Sequence, residues 1–314
     1  MKNLICFVSI MLITLSAYAT TLVVDQFNGP YYTINAAYND AVDDDTILIY
    51  PATYLESVDI SKAITLEGVD PNSTIIQSNN DYAVKINNGN VTISNLKIIC
   101  THEGIEVHAS SPIIKHCIVE NSDKGIFVFT QTTNIQNCVI KDCSVGLRYN
   151  HSSTGKSLNN LIYNCTSYGI EIYTDAWSPG QVDFFNNIII NCNYGFGTTY
   201  YCHYDGDLAY NCFYNNSTNT SGANLGPGNI FDINPLLTDY ENGNYYLHSD
   251  SPCIDTGIPG VEYEDLDGTR NDMGIFGGPT EWSMGKPTVL DVQINPESVL
   301  PGETFDIEAT SQIK

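Results

Sequence analysis

The feature that most constrains this chain is a glycine that returns at nearly constant spacing. It occurs at Gly104, Gly125, Gly146, Gly169 and Gly195, so the intervals are 21, 21, 23 and 26 residues. Each interval holds two short β-rich runs separated by polar turn residues, and none shows sustained helical spacing. Because one such unit cannot bury its own apolar side chains, a period near 21 indicates the stacked coils of a parallel β-solenoid.

Stacked coils bring residues at equal distances from the glycine to within about 4.8 Å of one another, the spacing of hydrogen-bonded strands. The positions one and three residues after the glycine are mostly apolar and should face inward: Ile105, Ile126, Leu147, Ile170 and Phe196, then Val107, Val128, Tyr149 and Ile172. Alternation along a strand turns the positions between them outward. This outward row consists of Glu106, Phe127, Arg148 and Glu171.

Three parts of the chain, from about Thr20 to Gly278, resemble the right-handed parallel β-helix of the pectate-lyase-like superfamily. The first, "YYTINAAYNDAVDDDTILIYPATYLESVDISKAITLEG", resembles an N-terminal cap with a helix at about 33–41, although Asp44 and Ala52 stand where the family has glycine. The second is the repeat. The third, "NPLLTDYENGNYYLHSDSPCIDTGIPGVEYEDLDGTRNDMGIFGG", is similar to the closing segment of secreted bacterial β-helix proteins. The resemblance implies an all-β fold and leaves the activity open, because the superfamily includes enzymes and adhesins.

The two ends of the chain predict an exported protein with a further module after the β-helix. A basic start, a short apolar run and Ala17-Tyr18-Ala19 are typical of a signal peptide over residues 1–19, and the run is too short to span a membrane. The β-helix is then expected over 20–280. Residues 286–314 look like the first two strands of an immunoglobulin-like module.

The net charge of −24 argues against nucleic acid or an anionic membrane surface as a partner, and against a polyanionic sugar unless calcium or a local basic patch intervenes. A polysaccharide or cell-surface glycan is the partner that we expect, with no membrane insertion after cleavage of the leader.

The cysteines are expected to be structural. Cys117 and Cys138 both lie eight residues before a glycine, so they should stack on neighbouring coils as small core residues. One or two disulfides remain an alternative, with Cys202 and Cys212 as the first candidate pair. Asn121, Asn164 and Asn191 should form a ladder at a turn.

The resemblance also implies where an activity would lie. Lyases of this superfamily use an outward groove, where a Lys or Arg abstracts a proton beside a carboxylate that a cation neutralises. Arg148, with Lys124 or Lys141, would supply the base, and Glu106, Glu171 and Asp175 would bind calcium. The competing interpretation is a plain surface ion pair between Arg148 and Glu171.

Further candidates extend this site. His108 and Tyr173 lie two residues beyond the outward row, and Trp177 falls in a longer coil, so with Glu106 and Glu171 they are the candidate sugar contacts. Asp265 and Asp267 in "DLDGTRND" are candidates for a second calcium position, with a structural turn containing an Asp–Arg pair as the alternative. A hydrolase would need two or three close aspartates, and the group of Asp175, Asp183, Asp205 and Asp207 matches no hydrolase motif.

Two functions from different classes therefore follow. The first is an exported, non-catalytic protein that binds carbohydrate along the solenoid or acts as a surface adhesion module. The alternative is a calcium-assisted polysaccharide lyase acting on polymers that contain uronate. An enzyme should present a basic residue beside at least two acids in a groove, whereas a binding or spacer protein should present scattered ion pairs.

Overall fold

The computed structural model of the protein describes residues 19–108, 111–129, 132–150, 153–173, 181–199 and 204–282, and the backbone of strands at 287–295 and 306–313. The chain winds through three parallel sheets along one axis, so the predicted all-β parallel β-helix is confirmed. Each full coil has three strands, not the two expected. Two of them are separated by only two residues, such as His116 and Cys117, so they look like one β-rich run in the sequence.

The strands in chain order are β1 (Thr21–Val24), β2 (Thr46–Ile49), β3 (Ala52–Leu55), β4 (Val58–Ile60), β5 (Thr65–Gly68), β6 (Thr74–Ser78), β7 (Tyr82–Ile86), β8 (Thr92–Ser94), β9 (Lys97–Cys100), β10 (Glu103–Val107), β11 (Ile113–Lys115), β12 (Ile118–Glu120), β13 (Lys124–Val128), β14 (Thr132–Gln136) and β15 (Val139–Lys141). They continue as β16 (Val145–Asn150), β17 (Thr154–Leu158), β18 (Leu161–Tyr163), β19 (Tyr168–Tyr173), β20 (Gln181–Phe185), β21 (Ile188–Ile190), β22 (Tyr194–Thr199), β23 (Leu208–Ala209), β24 (Cys212–Tyr214), β25 (Thr218–Ser221), β26 (Ile230–Phe231), β27 (Leu237–Asp239), β28 (Asn244–Leu247), β29 (Pro287–Asn295) and β30 (Asp306–Ile313). One α-helix, α1 (Ile34–Asp40), and one 3-10 helix (Tyr240–Asn242) complete the described elements.

Three sheets form the wall of the solenoid. Sheet A contains β1, β2, β5, β8, β11, β14, β17, β20 and β23. Sheet B contains β3, β6, β9, β12, β15, β18, β21, β24 and β26, and sheet C contains β4, β7, β10, β13, β16, β19, β22 and β25. The two predicted inward columns of sheet C are in register, from Ile105 to Phe196 and from Val107 to Ile172, and their side chains are fully buried.

The N-terminal end is covered by helix α1, close to the predicted bounds of 33–41. Thr33 caps it by accepting a hydrogen bond from the Ala36 amide. The free amides of Ile34 and Asn35 donate to the Glu56 carboxylate at 2.8 and 3.0 Å. Ile34 and Ala37 are buried against the first coils, so the open end of the core is closed to water.

The repeated glycine lies where neighbouring coils approach closely. A Cβ atom on Gly146 would lie 2.6 Å from the carbonyl oxygen of Gly169 and 2.8 Å from Cγ2 of Ile162. The Gly169 backbone and the packed Ile162 side chain could avoid such a contact only if the whole coil moved. Glycine is therefore required here by lack of space rather than by an unusual backbone angle.

A buried ladder of asparagines fills the two-residue turn between sheets A and B. Its members each donate and accept along the solenoid axis: Asn160, Asn187, Asn211 and Asn229. The side-chain oxygen Oδ1 of Asn187, for example, accepts from the backbone amide and the side-chain NH₂ group of Asn160 at 3.0 and 2.9 Å. The side-chain NH₂ group of Asn187 donates to the backbone carbonyl of Ser157. Buried turn amides are satisfied in this way without water.

The predicted cysteine stack is confirmed at the same turn. Cys117 and Cys138 occupy the ladder position on the two coils before Asn160, where their thiols donate to backbone carbonyls. All eight cysteines in the described part of the chain are buried free thiols, and Cys212 lies beside Cys253 in one apolar cluster. Its proposed partner Cys202 lies outside the described residues.

The predicted turn ladder forms between Asn164 and Asn191, at the turn between sheets B and C. Asn121, Asn164 and Asn191 adopt positive φ values of 60°, 56° and 56°. Asn191 donates to Asn164 at 3.4 Å, and Asn164 donates to Asp142 at 3.1 Å.

The closing segment packs on the outside of sheet B and creates a second core. Outward side chains of sheet B contact apolar side chains of this segment, forming the cluster of Ile118, Val139, Leu161, Tyr163, Ile188, Ile190, Cys212, Tyr245, Cys253, Met273, Ile275 and Trp282. Polar contacts reinforce it, since Asn137 donates to the carbonyls of Ile275 and Gly277 at 3.0 and 2.9 Å. The outward face of sheet B is therefore covered from β12 to β24.

The leader and the immunoglobulin-like module predicted for the two ends of the chain both stay predictions. The leader, apart from its last residue, lies outside the described residues. The tail forms the antiparallel pair β29–β30, compatible with two strands of a module, and the immunoglobulin-like assignment stays a prediction. In the described part of the chain, no helix has the length and apolar character needed to cross a membrane.

We expect Asn187→Ala to lower the free energy of unfolding by roughly 3 kcal/mol, because it leaves several buried backbone and side-chain groups without partners. Urea denaturation followed by circular dichroism measures this change. Asn215→Ala, in the exposed ladder between sheets B and C, is the matched control and should cost less than about 1 kcal/mol. Equal losses in the two variants would contradict the role given to the buried ladder.

Candidate functional site

The outward face of sheet C presents three parallel columns of side chains, set by their distance from the repeated glycine. Column 1 precedes the glycine and contains Tyr82, Glu103, Lys124, Val145, Tyr168 and Tyr194. Column 2 is the predicted outward row, extended to Asp59, Lys85, Glu106, Phe127, Arg148, Glu171 and Gly197. Column 3 contains His108, Phe129, Asn150, Tyr173 and Thr199.

Glu106 lies at the centre of an ionic group near the N-terminal end of this face. Its carboxylate is 3.1 Å from Nζ of Lys85 on the preceding coil and 3.2 Å from Nε2 of His108. Burial disfavours the charged form of Lys85, but its hydrogen bond to Glu106 raises the Lys85 pKa above the ordinary value. The Lys85 ammonium is therefore engaged by protein groups.

Lys124 is held in the same way one coil further on. Its ammonium lies 2.8 Å from Glu103 and 2.8 Å from Asp123. Burial disfavours the charge, yet the hydrogen bonds to Asp123 and Glu103 raise the Lys124 pKa above the ordinary value. A general base at neutral pH needs the opposite shift, so this environment does not prepare Lys124 to abstract a proton.

Arg148 occupies the middle of the face and is fixed on three sides. Its Nε lies 3.5 Å from Oε2 of Glu171, an ion pair without hydrogen-bond geometry, and 3.3 Å from Oδ1 of Asn150. Its guanidinium carbon lies 4.1 Å from the centre of the Tyr173 ring. The surface ion pair considered from the sequence is thus present.

Glu171 is less exposed than its outward position suggested. Only 7% of its side chain is accessible. Burial raises the Glu171 pKa above the ordinary value, and the nearby Arg148 charge opposes that rise. The neighbouring side chains that bury it leave little of its carboxylate to contact a polymer directly.

Aromatic rings are interleaved with these ion pairs. Tyr168 and Tyr194 stack with ring centres 5.0 Å apart, and Tyr168 lies across Gly197, where a Cβ atom would be 2.5 Å from the ring. Phe129 stacks on the His108 ring with centres 4.0 Å apart. Rings with accessible faces or polar edges therefore occur at both ends of the face.

The remaining predicted residues do not join this group, or lie outside the described residues. Lys141 belongs to sheet B, where it lies 3.2 Å from Glu120. Asp183 belongs to sheet A and accepts a hydrogen bond from the Asp207 amide. Trp177 and Asp175 fall in 174–180, outside the described residues.

Asp265 and Asp267 lie in the closing segment, away from sheet C. Both carboxylate oxygens of Asp265 accept backbone amides, from Asp272 and Gly278. Asp267 accepts from the amide and hydroxyl of Thr269. Arg270 does not follow the expected Asp–Arg pairing, since it donates to the carbonyls of Gly257 and Thr256. Within the described ranges, no three His, Cys, Asp or Glu residues form a group that could hold a metal ion.

Sequence reasoning missed Tyr168, Tyr194, Phe129 and Lys85. A usable signal existed for the first three, because they lie one residue before or four residues after a repeated glycine and alternation turns those positions outward. Lys85 was missed because its coil lacks the glycine, which removes the register mark.

A separate cavity of about 780 Å³ lies between the turn after sheet B and the closing segment. Tyr214, Asn215, Leu237, Tyr240 and His248 are among its lining residues. None of the sequence-predicted sugar contacts is among its lining residues.

Comparison with known proteins supports the architecture. The family described as "Right handed beta helix region" matches residues 67–217, so the three sheets form a right-handed parallel β-helix. No curated protein matches the chain. Among solved structures, the chain is similar to the pectate lyase Pel9A, at 11% identity and a TM-score of 0.48, with 83% of this chain and 97% of that chain covered.

Two pectin methylesterases are also similar in structure. The enzyme from Yersinia enterocolitica shares 13% identity at a TM-score of 0.44, covering 67% of this chain and 97% of its own. The enzyme from Aspergillus niger shares 14% identity at a TM-score of 0.46, covering 70% of this chain and 86% of its own. Identities and TM-scores at this level do not transfer an activity to this chain.

We expect Asp265 to make the protein less stable as the pH rises from about 4 to about 6. Burial raises the Asp265 pKa to about 6, above an ordinary value of 3.8, so in this window the unfolded carboxyl has lost its proton while the folded one retains it. Unfolding in urea at pH 4, 5 and 6 measures the slope. The slope for Asp265→Asn should be less negative than that of the unchanged protein, and identical slopes would contradict the assignment.

Proposed function

We propose that this chain is an exported protein that binds carbohydrate along the outward face of sheet C and performs no chemistry on it. The observation that carries the proposal is the alternation of aromatic rings and fully engaged charges over successive coils. Sugar rings stack on flat aromatic faces while their hydroxyls bond to polar groups at the edges. Tyr168, Tyr194 and Tyr173 supply such rings, and Thr199 supplies an adjacent polar group.

The lengthwise arrangement favours a polymer over a small molecule. Columns at a strand spacing of about 4.8 Å per coil offer similar contacts repeatedly along one axis. Most of sheet B cannot serve in this way, because the closing segment covers its outward side chains from β12 to β24. Export is supported by the leader pattern in residues 1–19.

The lyase alternative receives less support from the geometry. Proton abstraction beside a carboxylate needs a base that is free to accept the proton and a cation that stabilises the resulting charge. Lys124 does lie beside two acids, the arrangement expected of an enzyme. Its hydrogen bonds to them raise the Lys124 pKa, however, so the amine is not free to accept a proton. Arg148 is held by Glu171, Asn150 and the Tyr173 ring.

We expect Tyr168→Ala to weaken retention on a polysaccharide by about fivefold, because it removes a stacking surface worth on the order of 1 kcal/mol. A glycan array followed by affinity electrophoresis on the retained polymer measures the change. Tyr32→Ala, which removes a tyrosine that is 60% exposed in the N-terminal cap, is the matched control and should bind normally. Unchanged binding by Tyr168→Ala on every retained glycan would refute the role of this ring.

We expect no unsaturated products when the protein is incubated with pectate, alginate or glycosaminoglycans in the presence of calcium. Ultraviolet absorbance of the new double bond is the measurement. Product release that disappears in Arg148→Ala would establish the lyase instead of the binding protein.

A further inference from the structure

The cations of sheet C define what kind of polymer this face can accept. The chain has 12 Lys and Arg residues, of which three lie on the outward face of sheet C: Lys85, Lys124 and Arg148. The segments that follow these strands in sequence and lie outside the described residues contain no Lys or Arg: 109–110, 130–131, 151–152, 174–180 and 200–203. Among the described residues, the Lys and Arg side chains of this face are therefore these three.

Each of the three already has an acidic partner. Lys85 pairs with Glu106 at 3.1 Å, Lys124 with Glu103 at 2.8 Å, and Arg148 with Glu171 at 3.5 Å. Lys62, which follows β4, donates to the carbonyls of Tyr38 and Ala41 at 2.6 and 2.7 Å. A polymer carboxylate would have to displace a carboxylate of the protein to reach any of these charges.

The same face carries more acid than base. Asp59, Glu103, Glu106, Asp123 and Glu171 lie on or beside the three columns, against the three cations. This excess adds to a net charge of −24 for the whole chain. A polyuronate bears a negative charge on each sugar unit, so it meets electrostatic repulsion along the length of the solenoid.

Calcium bridging does not remove this obstacle in the described part of the face. A calcium ion takes six to eight oxygen ligands, whereas these carboxylates are separated and already bonded to protein groups. Glu106 lies between Lys85 and His108, and Asp59 accepts from Asn87 and Tyr82. Glu103 and Asp123 come together only at the Lys124 ammonium, which lies 2.8 Å from each of them. In the described part of the chain, no three acidic groups converge on one point.

We propose that the ligand of the sheet C face is a neutral polysaccharide, and that the acids of the face select against uronate polymers. This inference rests on the proposed carbohydrate-binding function. Stacking on Tyr168, Tyr194 and Tyr173 needs no charge on the sugar, and the Thr199 hydroxyl offers a hydrogen bond that sugar hydroxyl groups can meet. The ion pairs then form a fixed polar surface between the rings. Because their cations are already paired, they do not require a charged ligand.

The test compares neutral, anionic and cationic polymers on the full chain. Affinity electrophoresis is run with barley β-glucan, galactomannan and arabinoxylan as neutral probes, with polygalacturonate and alginate as anionic probes, and with chitosan as the cationic probe. Each is measured with calcium and with a chelator, at 50 and 500 mM NaCl. We expect at least one neutral polymer to be retained about tenfold more strongly than either uronate polymer, with little dependence on salt.

A charge variant sharpens the test. Glu106→Gln releases Lys85 on the face and should strengthen polygalacturonate retention by roughly fivefold at low salt, while retention of the neutral polymer stays within about twofold. Glu120→Gln is the matched control, because it releases Lys97 and Lys141 on sheet B, away from the face. This control should leave retention of both polymers unchanged.

The outcomes separate the inference from the function on which it rests. Retention of a uronate polymer or of chitosan in preference to every neutral polymer overturns the inference and leaves carbohydrate binding standing. Uronate retention that appears only with calcium also overturns it. Retention of none of the six polymers by the unchanged protein, with a glycan array equally blank, overturns carbohydrate binding and the inference together.

Discussion

The stacking of equivalent residues on successive coils is the constraint from which the other features of this protein follow. Parallel strands in register put Ile105 over Ile126 and Glu106 over Phe127. Each side chain therefore lies beside the side chain at the same position of the next coil. The close approach at the repeated glycine keeps this register, because a Cβ atom on Gly146 would meet the backbone of the neighbouring coil. Inward columns become a continuous core, and outward columns become a continuous surface.

Stacking also determines how polar groups inside the solenoid are satisfied. The turn between sheets A and B carries thiols on two coils and asparagines on the following ones, all at one ladder position. A cysteine suits the position as a small side chain, and an asparagine suits it because each amide donates to one neighbour and accepts from the other. Neither residue type requires a chemical role to explain its place there.

On the outer surface, the three faces differ in what covers them. The closing segment occupies the outside of sheet B with a second apolar core, whereas the outward columns of sheet C keep partly accessible rings and ion pairs. Charges on this face are matched across coils, a pattern that holds Lys85, Lys124 and Arg148 in fixed positions. A surface of this kind is rigid, which lowers the entropy lost when a polymer binds.

The glycine period and the alternation of side chains were sufficient to predict the parallel β-helix and its inward columns. The capping helix was predicted from the resemblance of the N-terminal segment to a β-helix cap. These features are local or repeat at a fixed interval, so they can be recognised from the order of residues along the chain. The number of strands per coil was wrong, because a two-residue turn with a buried cysteine leaves no break in the apolar pattern. The columns with Tyr168, Tyr194 and Phe129 could have been read from the same register, whereas Lys85 lies on a coil without its glycine.

The sequence by itself determined that equivalent residues would stack and which of them would face outward. Only the tertiary structure decided which outward face stays accessible and which charges neutralise one another. Lys85 meets Glu106 and Lys124 meets Glu103 across coils, 21 residues apart, through side-chain rotamers that no sequence pattern specifies. The closing segment is placed on sheet B by shape and apolar contact over more than 100 residues of separation, as between Asn137 and Ile275, and such long-range packing exists only once the chain has folded.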